Sequence, residues 1–208
     1  MTGDGSSDLA DRRGLDTTVY QPAEDSGLLA EAAVARARGL TLEVGTGSGW
    51  VAERLLAETD CTVVASDINP HACRQARDRG LAVVRADLLG PFRSDSFETI
   101  LFNPPYLPTD PDNDWDDWME QALSGGTTGR KLIAPFLADA PRVLASDGRV
   151  LLLVSSLTGF DAVLELAHDA GFVTETVREE SFPFETLSVL ELTEHDHRAA
   201  RDGRHGIG

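Results

Sequence analysis

Four short apolar segments, Leu40–Val44, Thr62–Ser66, Leu81–Arg85 and Phe97–Phe102, follow one another along the first half of the chain. Each runs into a break. Gly45-Thr46-Gly47-Ser48-Gly49 follows the first, Asp67-Ile68-Asn69 the second, Asp87-Leu88 comes soon after the third, and Asn103-Pro104-Pro105-Tyr106 follows the fourth. Short continuous apolar runs separated by helical stretches are the pattern of buried parallel strands, not of half-solvated ones. Repeated β-α units of this kind gather polar side chains at the strand C-termini, along one edge of the sheet.

The remaining elements continue that order. Pro22 followed by Glu24 and Asp25 predicts a helix to about Arg38, with its acids in the favourable first turn. Helices are expected over Trp50–Glu58 and Pro70–Arg79, then from about Gly129 to Leu144, followed by a strand at Arg149–Val154 and a helix at Phe160–Ala170. Val173–Glu179 and Thr186–Leu192 alternate in the manner of an antiparallel pair. The expected fold is α/β: a seven-stranded, mostly parallel, doubly wound (Rossmann-like) sheet with a terminal antiparallel pair. One domain is expected over residues 17–193, between a flexible leader (1–16) and a polar tail (194–208).

Composition narrows the classes. Among 208 residues, 18 Lys+Arg face 35 Asp+Glu, giving a formal charge of −17, and 41% are hydrophobic. That is too apolar for a disordered chain. No apolar run approaches the roughly 20 residues of a membrane span, and the polar N-terminus has no signal core, so a cytoplasmic protein is expected. Lys131 is the single lysine. An arginine-biased acidic chain resembles the proteins of extreme halophiles, whose molar salt cuts the Debye length to about 3 Å and screens self-repulsion. A GC-rich genome accounts for the arginines but not the acids. Cys61 and Cys73 fall in a strand start and a helix and read as buried thiols. His195-Asp196-His197 lies in the polar tail, and no metal site is expected.

The breaks carry the chemistry. A dinucleotide loop has the spacing GxGxxG, and its third glycine falls where this chain has Trp50. Here the spacing is GxGxG, with Glu43 two residues before the first glycine. That acid repels a pyrophosphate but accepts from an ammonium group, and S-adenosylmethionine carries an ammonium and a sulfonium but no phosphate. Asp67 is placed to accept ribose hydroxyls, and Asp87-Leu88 suits an adenine amino group and ring face. The bland alternatives are a tight turn for the loop and a helix cap or surface charge for each acid, and the placement of all of them at successive strand C-termini argues against those. In Asn103-Pro104-Pro105-Tyr106, two prolines fix φ and remove two donors. The Asn103 side-chain carbonyl and the Pro104 backbone carbonyl can then both accept from one planar NH₂, with Tyr106 stacked on it.

The segments VYQPAEDSGLL, LEVGTGSG, SDIN, ADLL and NPPY, over residues 19–107, resemble in order the HemK-type class I N-methyltransferases, and SGGTTGRKLIAPFL resembles the Gly-Gly-x-x-Gly helix start that follows them. The short form is similar to the archaeal and eukaryotic branch that methylates the GGQ glutamine of the class-1 translation release factor. This resemblance implies S-adenosyl-L-methionine held by Tyr20, Ser26, Glu43, Val44, Gly45, Thr46, Gly47, Gly49, Asp67, Ile68, Asp87, Leu88 and Asn103. It also implies an acceptor amide held by Asn103, Pro104, Pro105 and Tyr106. A small zinc-binding activator is the implied heterodimer partner, and the apolar edge Leu81, Ala82, Val83 and Val84 is a candidate place for it, unless the helix at 70–79 covers it as an ordinary edge. Amino-methylation of DNA bases uses similar acceptor chemistry, but no recognition domain or basic patch accompanies it here. Lysine methylation and a non-catalytic scaffold are the other readings. The acidic loop Asp110–Asp117, with Trp115 and Trp118 beside it, reads either as a lid or as a solvated loop.

Overall fold

The structure is a computed structural model that describes residues 19–107 and 122–194. The leader 1–16, the loop 110–118 with its tryptophans, and the tail beyond Glu194 lie outside the described residues. The described elements run α1 (Glu24–Arg36), β1 (Leu40–Val44), α2 (Trp50–Glu58), β2 (Thr62–Asp67), α3 (Pro70–Asp78), β3 (Ala82–Arg85), β4 (Phe97–Phe102), α4 (Ile133–Val143), β5 (Leu144–Ser155), α5 (Phe160–Asp169), β6 (Phe172–Phe182) and β7 (Glu185–Glu194). The strands form a seven-stranded sheet in the order β3-β2-β1-β4-β5-β7-β6. Pairing is parallel from β3 through β5, and β7 runs antiparallel to both β5 and β6.

Alternation along the central strands splits the core into two layers. Ile100, Phe102, Val150, Leu152 and Val154 face one side, where α4 and α5 cover them with Phe136, Leu137, Val163 and their neighbours. Leu101, Leu151, Leu153 and Val189 face the other, against α1 and α2 with Leu29, Ala33 and Leu55. Strands buried on both faces in this way need the unbroken apolar runs found in the sequence. The crossover after β1 goes to one face and that after β4 to the other. The β1/β4 boundary is therefore the topological switch point, where open α/β sheets form their clefts.

Most boundaries fall within one to three residues of expectation, and three of the shifts have a clear local reason. Helix α4 begins at Ile133 rather than Gly129 because Gly126 and Gly129 adopt φ of +70° and +71°, which no helix accommodates. β5 begins at Leu144, five residues early, because Leu144 pairs with Phe97 ahead of an irregularity that returns Arg149 to Thr99. Gly148 permits it: a Cβ there would lie 2.9 Å from the Ala145 carbonyl and 3.0 Å from that of Phe97. β3 begins at Ala82, since Leu81 is buried in the α1–α2 layer. Cys61 and Cys73 are buried free thiols, as expected.

Gly49 is the tightest joint between the cleft loop and the rest of the domain. It holds φ +81° at the N-cap of α2, and a Cβ would meet Leu81 Cδ1 at 2.9 Å and Ala76 at 3.0 Å. Left-handed backbone strain and overpacking together predict that Gly49→Ala destabilises the fold by about 2–4 kcal/mol, read as a lowered urea midpoint with unchanged m-value.

Candidate active site

An open cleft lies across the C-terminal ends of β1, β2 and β4. Its walls include all but one of the cofactor and acceptor residues expected from sequence: Tyr20 and Ser26, Glu43 through Gly47, Asp67 and Ile68, Asp87 and Leu88, and Asn103 through Tyr106. Gly49 is the exception. Its role is to let α2 approach α3 and Leu81 closely, not to face a ligand.

The glycine loop is tied down from several sides. Thr46 donates its backbone N–H to the Ser66 carbonyl at 2.9 Å, and Gly47 donates to Asp67 Oδ2 at 2.9 Å. Asp67 Oδ1 accepts from Asn69 N–H at 2.8 Å. Asp67 thus braces the loop with one oxygen and the β2–α3 turn with the other. Glu43, fully enclosed at the end of β1, accepts from the Thr46 hydroxyl at 2.5 Å and from Ala52 N–H at 3.1 Å, both at Oε2. Because Gly49 offers α2 no side-chain cap, this carboxylate caps the helix from a neighbouring strand. Burial pushes the Glu43 carboxyl up to about 7 despite those two hydrogen bonds, with Asp67 adding to the rise. Burial raises Asp67 as well.

On the other side of the cleft, one carboxylate organises the acceptor corner. Asp25, in the first turn of α1, is only 3% exposed. Its Oδ2 accepts from the Tyr20 hydroxyl at 2.8 Å and from Asn103 Nδ2 at 3.1 Å, while Oδ1 accepts from Ser26 N–H at 2.6 Å. With its NH₂ committed to Asp25, the Asn103 amide turns Oδ1 the other way, and that oxygen is buried without a hydrogen-bond partner. An unpaired buried acceptor in a cleft wall is ready for a donor from a ligand. The phenols of Tyr20 and Tyr106 are both pushed well above the usual tyrosine range, first by burial and then by Asp25. Both stay protonated at neutral pH, so neither serves as a base.

Behind the corner, Gly129 approaches so closely that a Cβ would lie 2.6 Å from the Tyr106 carbonyl oxygen and 3.1 Å from Thr158 Cγ2. Lys131 N–H donates to the Gly125 carbonyl at 2.9 Å, folding the Gly-Gly-x-x-Gly stretch back on itself under the corner. The glycines that displaced the start of α4 therefore support Tyr106.

Residues 41–124 match the family model described as a methyltransferase domain. A putative protein N5-glutamine methyltransferase of Methanocaldococcus jannaschii is 36% identical over 183 residues, covering 85% of this chain and 92% of that protein. The chain belongs to the HemK-type N5-glutamine methyltransferase family. Another member, the human methyltransferase HEMK2, is 30% identical over 197 residues, covering 87% of this chain and 92% of its own. Among solved structures, Mtq2 in the E. cuniculi Mtq2–Trm112 complex, described as responsible for methylating the eRF1 termination factor, superposes with a TM-score of 0.71. It is 30% identical, over 86% of this chain and 99% of that one.

Within this HemK-type cleft, the residue that sequence reading passed over is Asp25. The sequence presents it as an acid in a helix first turn, a position that helix dipoles favour anyway. Only the contact with Asn103, 78 residues away, shows its second task. Asp25→Ala leaves the Asn103 NH₂ and the Tyr20 hydroxyl unpaired and frees the amide to rotate. The expected outcome is a loss of about 1–3 kcal/mol in stability and a fall of about 10²-fold in methyl transfer at saturating reactants. Thermal melting and single-turnover kinetics measure the two.

Proposed function

We propose that this chain transfers the methyl group of S-adenosylmethionine to the side-chain amide nitrogen of the GGQ glutamine in the class-1 translation release factor. The observation that carries this reading is the unpaired, buried Oδ1 of Asn103, fixed by Asp25. A planar NH₂ is weakly nucleophilic because its lone pair is delocalised. An acceptor oxygen held at one N–H orients that group before reaction and favours pyramidalisation at nitrogen. Tyr106 supplies an aromatic face beside the corner, and the two prolines hold the backbone so that Asn103 cannot turn away.

The residues of the opposite wall fit the cofactor. Glu43 meets its ammonium, Ser26 and Tyr20 border its methionine portion, Asp67 receives the ribose hydroxyls, and Asp87 with Leu88 borders the adenine. Val44 through Gly47 supply the close backbone approach, and Ile68 adds an apolar, exposed edge. S-adenosylmethionine supplies a methyl on a sulfonium, which a nucleophile displaces in line. Carboxylates against a cationic ligand that carries no phosphate form a complementary set, whereas a pyrophosphate would be repelled by Glu43 and Asp67.

The same reading includes a small zinc-binding activator paired along β3. That strand closes one end of the sheet with Ala82 exposed, Val84 38% exposed and Val83 packed inward; Leu81, buried, contributes to the core instead. Addition of a partner strand would satisfy the open backbone groups and cover Val84. The Mtq2 relative, solved with Trm112, supports a small partner. Among the described residues no helix is long and apolar enough to cross a membrane. A cytoplasmic enzyme working in molar salt, the style its acidic composition resembles, is the setting we infer.

Incubating the chain and its activator with labelled cofactor and either release factor or duplex DNA tests this reading. Label is expected on the release factor glutamine; label on DNA alone, or on lysine, rejects the assignment. Asn103→Ala is expected to lower transfer by at least about 10²-fold while cofactor affinity changes little. The Glu43 reading also fixes a pH dependence. Because burial holds this carboxyl protonated up to about pH 7, binding an ammonium there must expel a proton at lower pH. Cofactor affinity is therefore expected to fall as pH drops below about 7, by up to tenfold per pH unit, with proton release in calorimetry. A flat affinity between pH 6 and 8 would remove the ammonium from Glu43.

A further inference from the structure

The β6–β7 hairpin ends in Phe182-Pro183-Phe184-Glu185, and Phe184 is 94% exposed at its tip. A phenylalanine so placed contributes nothing to the core. Its neighbours connect it to the acceptor corner. Glu185 Oε1 accepts from the Ser155 hydroxyl at 2.5 Å, and Thr186 N–H donates to Ser156 Oγ at 3.0 Å, fastening the hairpin end to the turn after β5. Leu157, 43% exposed, sits in that same turn. The next residue, Thr158, lies against Gly129, which supports the Tyr106 carbonyl, and Phe182 packs into the core layer that also receives Tyr106. The hairpin end and the turn, fastened to each other, thus make a wall tied to the acceptor corner through Thr158 and Gly129.

Apart from Arg130, which is spent on the Thr158 carbonyl, the charges named beside this wall are acidic. The carboxylates that act on the Tyr106 phenol are Asp25, Glu185 and Glu24, from the first turn of α1 and from the hairpin. Such a rim repels a phosphate backbone and favours a polypeptide with basic or neutral groups beside its acceptor residue. An exposed aromatic with acidic neighbours suits a protein partner, because buried aromatic anchors carry much of the energy at such interfaces.

We infer that Phe184, with Leu157 in the turn fastened to the hairpin, is the docking wall for the acceptor protein: it receives an apolar side chain from the segment flanking the methylated residue, while Glu185 and Glu24 face basic groups on that segment. The inference rests on the acceptor being a protein, as proposed above. Phe184 sets specificity by holding the flanking segment and takes no part in the chemistry.

Phe184→Ala and Phe184→Glu test it in the active enzyme, purified with its small partner. Nearly full exposure means that neither variant should shift the melting temperature, and cofactor affinity should match wild type. KM for intact release factor is expected to rise about tenfold for Phe184→Ala and further for Phe184→Glu, with kcat unchanged. A peptide too short to reach the hairpin should be methylated equally well by all three proteins. If wild type methylates the release factor and Phe184→Ala does so with the same KM, the docking wall is refuted and the acceptor assignment stands. If wild type transfers no methyl to any release factor, the acceptor assignment and this inference fall together. A KM unchanged by the substitution while sedimentation shows a dimer becoming a monomer assigns the tip to self-association and overturns the inference.

Discussion

With β1 and β4 paired in parallel and Val44 opposite Phe102, the chain leaves the sheet twice at the same height from adjacent strands. One exit is the glycine loop, the other the Asn-Pro-Pro-Tyr corner. The two crossovers pack on opposite faces, so nothing fills the crevice between the exits. Two reactants can then meet there without either having to penetrate the core. β2 adds Asp67 at the same edge, and the Ala86 N–H bond to the Asp67 carbonyl at 3.0 Å brings the Asp87-Leu88 pair alongside. Cleft and chemistry are consequences of strand order; the side chains refine a site that the topology has already opened.

Two buried carboxylates do that refining, and each has divided duties. Glu43 spends one oxygen on Thr46 and the start of α2, holding the loop in shape. Asp25 joins Tyr20, Ser26 and Asn103, so the chain segment nearest the cofactor side and the acceptor corner share one anchor. Burying such groups costs several kcal/mol unless hydrogen bonds replace the lost water. Asp25 recovers this with hydrogen bonds to both of its oxygens. Glu43 recovers it less completely and keeps a raised pKa, which a cationic ligand would relieve. An enclosed carboxylate of this kind discriminates by charge more sharply than an exposed one, because water does not screen it.

Element identities and the strand-end residues that line the cleft were legible in the sequence, because apolar runs and strand-end breaks are local signals. What escaped depended on contacts distant in the chain. Gly49 belongs to a glycine-rich loop and so resembles a ligand-facing residue, yet its requirement for no side chain comes from Ala76 and Leu81. Leu81 continues the apolar run of β3, but its burial takes it out of the edge. Gly129 resembles a helix start because helix-forming residues follow it, whereas the Tyr106 carbonyl dictates its backbone. Asp25 is the instructive case, since its helix-start position already has a sufficient local explanation. A residue with one adequate local reason hides any second one.

The near-absence of lysine, met first as a matter of composition, gains a mechanical side in the fold. Arg142 donates to both oxygens of Asp139 while also reaching the carbonyls of Leu89 and Phe92, at 3.1 and 2.7 Å. Arg79 bridges the Ser48 carbonyl and Glu53, Arg85 donates to the Ile68 carbonyl, and Arg130 reaches the Thr158 carbonyl. Of these three carbonyls, those of Ser48 and Ile68 belong to residues lining the cleft and that of Thr158 to the turn of the proposed docking wall. Arg142, Arg79 and Arg130 each use donors diverging from one rigid plane, which a guanidinium provides and an ammonium does not. Salt screens exposed ion pairs, but a fork holding loop carbonyls keeps its geometry and partial burial at any ionic strength. Several arginines of this chain therefore staple loops as well as pairing with carboxylates, and an Arg-for-Lys bias of whatever genetic origin has been put to structural use where the loops meet the site.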